Sequence, residues 1–174
     1  RFVARVACHA WRRNIVNELL ETEVRYLRDL NTVVRAFWDP LLEAARGGKP
    51  VLKDAQIRVL FPDCLRVIIN YNTKFLGELE PRVKRIDEPW TMIGDIFLDF
   101  TAFLKVYTQY VKDFSDAQKL YDEVKSKPRV AEFFWECKQN PATGTAELPS
   151  FLILPVQRIP RYSLLVNDLL KRTW

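Results

Sequence analysis

A regular pattern of apolar and polar positions marks the last part of the chain, between residues 148 and 171. Its apolar residues recur in alternating steps of four and three, at Leu148, Leu152, Pro155, Ile159, Tyr162, Val166 and Leu169. This spacing places them in one stripe along an α-helix, which is the pattern of a helix that packs on a core. The pattern therefore predicts a final helix with one buried stripe and with Pro149 in its first turn.

The opposite side of this predicted helix is not uniformly polar. At about 100° per residue, that side carries Gln157, Arg161, Leu164 and Asp168, joined by Ile153. Aliphatic side chains beside a glutamine and an arginine indicate either a second buried face or a docking surface.

Two prolines fall inside the same predicted helix. Each lacks an N–H and clashes with the carbonyl four residues back, which costs about 3 kcal/mol. The affected carbonyls belong to Phe151 for Pro155 and to Val156 for Pro160. A segment this apolar can offset the cost by burial, so a kinked core helix remains open as an interpretation beside the docking surface.

A second long helix is predicted near the start of the chain, from Arg12 to about Trp38. This stretch contains no glycine or proline, and its apolar positions cover an arc of about 160°, wider than one neighbouring helix requires. We therefore expect it to contact at least two other helices. Pro40 should end or bend it, and residues 1–11 form either a lead-in or its first turns.

The remaining periodic segments are also helical, and no stretch alternates with a period of two for long. All-α is the predicted fold class, in one domain over residues 12–174. The predicted helices span about 53–60, 65–85, 91–112, 115–126 and 128–140, the fourth opened by the capping box Ser115 to Gln118, with loops at 46–50, 86–89 and 141–147.

Composition narrows the possible functions. The 174 residues carry 27 lysines and arginines against 22 aspartates and glutamates, a net charge of +5. This excess is too small and too dispersed to predict nucleic-acid binding, but it fits an acidic protein partner or weak attraction to lipid. No run approaches the ~20 apolar residues of a membrane span, and no secretory signal is recognisable. We expect a cytoplasmic protein.

The residues that usually carry catalysis are scarce. Cys8, Cys64 and Cys137 are far apart in sequence and favour reduced thiols over a disulfide frame or a zinc site. His9 is the only histidine, which disfavours histidine-based triads and metal sites. Neither common nucleotide-cradling glycine motif is present. The sequence therefore predicts no metal and no cofactor, and an enzymatic function is strongly disfavoured.

Two glutamates of the first helix differ in their expected surroundings. Glu23 falls inside the apolar arc, where a bare carboxylate is prohibitively costly, and Arg158 is its candidate partner in a structural ion pair. A catalytic acid with a raised pKa is the less favoured alternative. Glu18 lies about 60° outside the arc, one turn from Thr22, where helix geometry alone predicts a solvated surface acid.

Three segments resemble the sequence blocks of the Dbl homology domain, the catalytic domain of Rho-family guanine nucleotide exchange factors. The first is IVNELLETEVRYLRDL at 15–30, the second contains IGDIF at 93–97 and YVKDFSDA at 110–117, and the third contains PVQRIPRY and SLLVNDLLKRT within 148–173. The resemblance covers the chain from about Arg12 onward. NELLETE and PVQRIPRY in one all-helical chain are together highly specific.

The resemblance implies an elongated bundle of helices that binds a GDP-loaded Rho-type GTPase at both switch segments. Such a domain remodels the switches, disturbs the magnesium and phosphate site of the GTPase, and stabilises its nucleotide-free form until GTP enters. No covalent bond is made or broken, so the expected activity is not enzymatic in the chemical sense. In physical terms the domain prefers one conformer of a bistable partner.

The resemblance also implies site residues. Glu18 matches the glutamate that reaches the first switch. Gln157 and Arg161 match the exposed polar pair that engages the second switch, where many members have lysine in place of Arg161. The expected GTPase contacts are completed by Thr22, Leu164 and Asp168.

Members of this family usually extend the last helix well beyond the third block, and a pleckstrin homology domain usually follows. Neither lies within these 174 residues, so the final helix is expected to be truncated and membrane recruitment to depend on a neighbouring domain. A helical scaffold that binds a GTPase without exchange remains an alternative. A membrane-shaping bundle would need a continuous lysine and arginine stripe, which the sequence lacks.

Overall fold

The computed structural model describes residues 2–88 and 91–171, with side chains from His9 onward. Every regular element within these ranges is helical, which confirms the predicted all-α fold. The helices are α1 (Phe2–Val33), α2 (Asp39–Arg46), α3 (Asp54–Leu60), α4 (Cys64–Val83), α5 (Gly94–Thr101), α6 (Leu104–Val124), α7 (Pro128–Gln139), α8 (Leu148–Leu152) and α9 (Leu154–Leu170). A π-helical turn (Val34–Trp38) joins α1 to α2, and a 3₁₀ turn (Pro141–Thr143) follows α7.

The central element is α1, which packs against both α4 and α9, as its wide apolar arc predicted. Leu19, Leu30 and Val33 are at most 2% exposed and belong to the same apolar core as the buried residues of α4 and α9. Because α9 lies directly beside α1, the first and last helices of the bundle share one outer face.

The predicted end or bend of the first helix near Pro40 has a structural counterpart. α1 ends at Val33, and the π-helical turn joins it to α2, where Pro40 is the second residue. The N–H of Asp39 bonds to the carbonyl of Val34, five residues back. A proline in a first turn needs no helical N–H partner, so the helical path continues. At the other end α1 already begins at Phe2, so residues 2–11 are its first turns.

The predicted boundary at Ser115 is wrong. α6 runs unbroken from Leu104 to Val124, and the helix interruption lies earlier, between Thr101 and Leu104. A serine cap contributes only about 1 kcal/mol, whereas the continuous α6 buries Ala117 and Tyr121. Tertiary packing therefore outweighs the local capping signal.

The final predicted helix is divided at Ile153, where α8 ends and α9 begins. Pro155 is consequently the second residue of α9 and not an interior proline, while Pro160 does lie inside the helix. The buried stripe of α9 also differs from the predicted stripe, because α9 begins anew after Ile153 and its helical repeat does not continue that of α8. Ile159 and Val166 are only half-buried, and the buried side of α9 consists of Pro155, Arg158, Tyr162 and Leu165.

A buried polar network connects α9 to α1 and α4. Arg158 Nη2 lies 2.5 Å from Glu23 Oε2, with the two side chains 4% and 0% exposed, so the pair predicted from the sequence is present. The Tyr162 hydroxyl lies 2.6 Å from the same carboxylate oxygen and 2.8 Å from Asn72 Oδ1. The Arg158 guanidinium also lies over the Tyr162 ring, 4.4 Å from its centroid.

The network continues into α6. Asn72 Nδ2 donates to the Ile68 carbonyl at 2.8 Å and to the Tyr107 hydroxyl at 2.6 Å. The hydroxyls of Tyr107 and Tyr26 are 3.2 Å apart. One connected set of buried polar groups therefore joins four helices, α1, α4, α6 and α9.

Burial controls the protonation of these groups. Loss of hydration raises the pKa of Glu23, while the neighbouring Arg158 charge and the hydrogen bonds to Oε2 oppose that rise. Burial, followed by the nearby Glu23 charge, raises the pKa of Tyr162 well above its ordinary value. The Tyr162 hydroxyl therefore keeps its proton at neutral pH and can donate it.

Replacing Tyr162 by phenylalanine should lower the free energy of unfolding by about 1–3 kcal/mol, because a buried acceptor on Asn72 loses its donor. The matched control is Tyr71→Phe. Tyr71 is half-buried and its hydroxyl makes no hydrogen bond within the described residues, so the control should change stability by less than about 0.5 kcal/mol. Urea unfolding followed by circular dichroism measures both. Equal losses in the two variants would contradict the bridging role of Tyr162.

Arg158→Ala should destabilise the fold by about 3–5 kcal/mol, because it leaves the Glu23 carboxylate buried without its counter-charge. The double variant Arg158→Ala/Glu23→Ala should lose less than the sum of the single variants. Lys119→Ala, which removes one half of an exposed ion pair with Asp116, should cost at most about 1 kcal/mol. Strict additivity of the first two substitutions would rule out the buried pair.

Candidate functional site

The predicted site residues lie on the outer face shared by α1 and α9. Glu18 and Thr22 are one turn apart on α1, and Gln157, Arg161 and Leu164 follow one another on the neighbouring α9. Residues spaced by three or four positions share one side of a helix. Because α1 and α9 pack side by side, the two short stripes form one surface, here called the α1–α9 face.

The two principal charged residues of this face contact each other. Arg161 Nη2 donates to Glu18 Oε1 at 2.9 Å, and the side chains are 49% and 51% exposed. The sequence predicted each residue at the surface but not their pairing, since nothing in a linear sequence fixes the rotation of α9 against α1. An exposed ion pair of this kind is worth about 0–1 kcal/mol, so partner groups can replace it at little cost.

Thr22 lies at the boundary between this face and the buried network. Its hydroxyl donates to the Leu19 carbonyl at 3.1 Å and accepts a hydrogen bond from Arg158 Nη1 at 3.1 Å. Arg158 therefore connects a surface residue to the buried Glu23 with one guanidinium group. The rotation of α9 about its axis is fixed by this double attachment.

The remaining predicted site residues differ in accessibility. Leu164 is 66% exposed, which is unusual for a large aliphatic side chain beside a charged pair. The Gln157 side chain is exposed and makes no hydrogen bond within the described residues. Asp168 lies one turn beyond Leu164 and pairs with Lys171 at 3.2 Å. Ile153 is half-buried and contributes less to the face than its position in the sequence predicted.

A shallow groove of about 190 Å³ runs between the two helices beside the charged pair. Sequence reasoning did not assign four of its lining residues to the site, although two of them, Arg25 and Asp29, continue the α1 stripe seven and eleven positions after Glu18. That spacing is the signal that could have found them. The groove is lined by Thr22, Arg25, Tyr26, Asp29, Leu154, Gln157, Arg158 and Arg161.

The free thiols that the structure describes lie away from this face. Among the described residues, the free thiols are Cys64 and Cys137, which lie on α4 and α7, and burial raises the pKa of each to about 11. Both thiols therefore stay protonated near neutral pH. Within residues 2–88 and 91–171, no cluster of three histidine, cysteine, aspartate or glutamate side chains could hold a metal ion.

Larger clefts occur elsewhere but include none of the predicted site residues. One of about 440 Å³ lies between α6, α7 and α8, and another of about 720 Å³ lies beside α2, α3 and the start of α4. In the part of the chain that the structure describes, no helix is long and apolar enough to cross a bilayer.

Comparison with known proteins gives a consistent result. A family profile described as the RhoGEF domain matches residues 15–174. The chain is 37% identical over 164 residues to a Dictyostelium discoideum protein named guanine exchange factor for Rac 30, covering 94% of this chain and 9% of that protein. It is 35% identical over 164 residues to human FYVE, RhoGEF and PH domain-containing protein 2, covering 92% and 24%. The chain thus spans less than a quarter of either relative.

Solved structures show the same fold. The crystal structure of the DH/PH domains of p115-RhoGEF superimposes with a TM-score of 0.85 at 23% identity, covering 97% of this chain and 49% of that one. At this level of identity the likeness concerns the fold, and it confirms that the helical bundle is of the Dbl homology type.

Proposed function

This chain belongs to the RhoGEF domain family, and from that membership we propose that it is a guanine nucleotide exchange factor for a Rho-family small GTPase. The observation that carries the proposal is the α1–α9 face. It brings Glu18, Gln157, Arg161 and Leu164 together, although α1 and α9 lie far apart in sequence. By resemblance, Glu18 corresponds to the position that reaches the first switch, and Gln157 and Arg161 correspond to the pair that engages the second. Leu164 would flank the GTPase and help to set which Rho protein fits.

The proposed mechanism is a coupling of binding energies. The chain binds the nucleotide-free conformer of the GTPase more tightly than the GDP-bound conformer. By linkage, the bound chain lowers the affinity of the GTPase for GDP by the same factor. Loss of GDP and entry of GTP then follow without any covalent step. The activity is therefore one of differential affinity for a bistable partner.

Each residue of the face has a distinct part in this mechanism. Glu18 offers a carboxylate that competes for first-switch groups that otherwise help to hold nucleotide and metal. Arg161 and the unpaired amide of Gln157 engage the second switch. Leu164, which is two-thirds exposed, supplies the apolar contact that gains most from removal of water. Thr22 and Asp168 flank these contacts at the two ends of the face.

Binding requires the Glu18–Arg161 pair to open or to be shared with the partner. Because the pair is half-exposed, its loss costs about 0–1 kcal/mol. New contacts in a water-excluded interface are stronger than this exposed pair. The pair therefore holds both side chains near their working positions without blocking the site.

The partner and location follow from the family. The proposed partner is a small GTPase of the Rho or Rac type, consistent with the name of the Dictyostelium relative. The chain is proposed to act in the cytoplasm and to reach membranes through a neighbouring domain. A scaffold that binds the GTPase without releasing nucleotide is the competing hypothesis.

Glu18→Ala should abolish catalysed release of a fluorescent guanine nucleotide from a panel of Rho and Rac GTPases. Loss of a charged contact within an interface costs about 2–5 kcal/mol, which predicts at least a thirtyfold lower rate at about 1.4 kcal/mol per factor of ten. The melting temperature should stay near that of the unmodified chain, because Glu18 is exposed. Glu132→Ala on α7, also exposed, is the control and should exchange normally.

A charge exchange sharpens this test. In Glu18→Arg/Arg161→Glu the ion pair can re-form with reversed polarity, so the stability of the fold is kept. Each switch would then face a charge opposite in sign to the one it binds. We expect this variant to fold and to be inactive. Normal exchange by Glu18→Ala or by the charge-exchanged variant would refute the site assignment. Tight binding of the unmodified chain without nucleotide release would instead support the scaffold hypothesis.

A further inference from the structure

The groove between α1 and α9 extends the docking face beyond the residues that match the family. It runs along α1 from Thr22 to Arg25 and Asp29, and Leu154 closes it on the α9 side. These last three residues are not among those that the sequence resemblance assigned. The groove is continuous with the proposed GTPase surface because Thr22 and Arg161 belong to both.

Most charges on this groove are already compensated. Arg161 is paired with Glu18 at 2.9 Å. Asp29 Oδ1 accepts two hydrogen bonds from Arg28, at 3.0 Å from Nε and 2.9 Å from Nη2. The guanidinium of Arg158 at the floor is neutralised by Glu23.

Arg25 is the exception. It is exposed and makes no ion pair or side-chain hydrogen bond within the described residues. The groove therefore carries one uncompensated positive charge at its rim.

The size of the groove limits what can occupy it. Its volume of about 190 Å³ is below the roughly 300–1,000 Å³ of pockets that hold small molecules or cofactors. A single side chain of a docked protein suits this space better than a free ligand does. The Tyr26 ring and Leu154 provide apolar walls for the stem of such a side chain.

We propose that Arg25 is a specificity-determining residue that receives an aspartate or glutamate side chain of the bound GTPase in the α1–α9 groove. The proposal rests on the exchange function proposed above and adds a contact that selects among partners. A planar guanidinium matches a carboxylate through two parallel hydrogen bonds. GTPases that present an acidic side chain here are preferred over those that present a neutral or basic one.

The test is a kinetic comparison of Arg25→Glu, Arg25→Lys and the control Arg35→Glu in nucleotide release from the same GTPase panel. Arg35 is exposed on the π-helical turn, so its reversal makes the same change in net charge away from the groove. For the best substrate, Arg25→Glu should raise KM about tenfold or more, as expected for a lost hydrogen bond between charged groups, with kcat little changed. The effect should shrink with added salt, and Arg25→Lys should recover part of it.

The outcomes separate this inference from the proposed function. If the unmodified chain exchanges nucleotide and Glu18→Ala does not, while Arg25→Glu keeps the normal KM for every GTPase, the Arg25 contact is refuted and the function stands. An equal rise in KM for Arg35→Glu would show that the effect comes from the change in net charge, and it would also refute the contact. If the unmodified chain neither binds nor exchanges any member of the panel, both proposals fail.

Discussion

The requirement that a buried charge be neutralised governs the arrangement of this bundle. Glu23 has no exposed surface and Arg158 almost none, so each side chain must keep the other as its partner. The two residues belong to the helices that are farthest apart in sequence. Their contact therefore brings α9 against α1 and, with the hydrogen bond from Arg158 to Thr22, allows one rotation of α9 about its axis.

The outer face follows from that rotation. Glu18 lies five residues before Glu23, about 140° away around α1, and Arg161 lies three residues after Arg158, about 60° away around α9. Once Glu23 and Arg158 are paired, the positions of Glu18 and Arg161 relative to each other are set. The same two helices thus carry a buried ion pair that is costly to break and a half-exposed pair that is not. The first provides orientation, and the second leaves the charged groups available to a partner.

The sequence predicted what depends on local pattern. It identified the all-α class, the wide contact arc of α1, the buried position of Glu23 and the exposed side of α9. It missed features that depend on tertiary packing. The helix is interrupted at Ile153, and the buried side of α9 contains Arg158 and Leu165 in place of the predicted Ile159 and Val166.

The helix start predicted at Ser115 was wrong, and the groove was not predicted, for the same kind of reason. A capping box is a local preference, and the packing of α6 overrode it. The groove at Arg25 and Leu154 exists only where two helices meet at a particular rotation. The spacing of residues within one helix does not reveal which residue of a neighbouring helix lies opposite them.

The buried network is better understood as a device for orientation than as a source of stability. Glu23 Oε1 and Arg158 Nε are buried without hydrogen-bond partners, so the pair recovers only part of its desolvation cost. Well-packed aliphatic side chains in the same places would hold the helices together at least as strongly. They would not, however, make directional hydrogen bonds between α1 and α9. The α1–α9 face presents a carboxylate, an amide and a guanidinium side by side only at one rotation of α9, and the buried pair favours that rotation through directional bonds that extend to the edge of the face at Thr22.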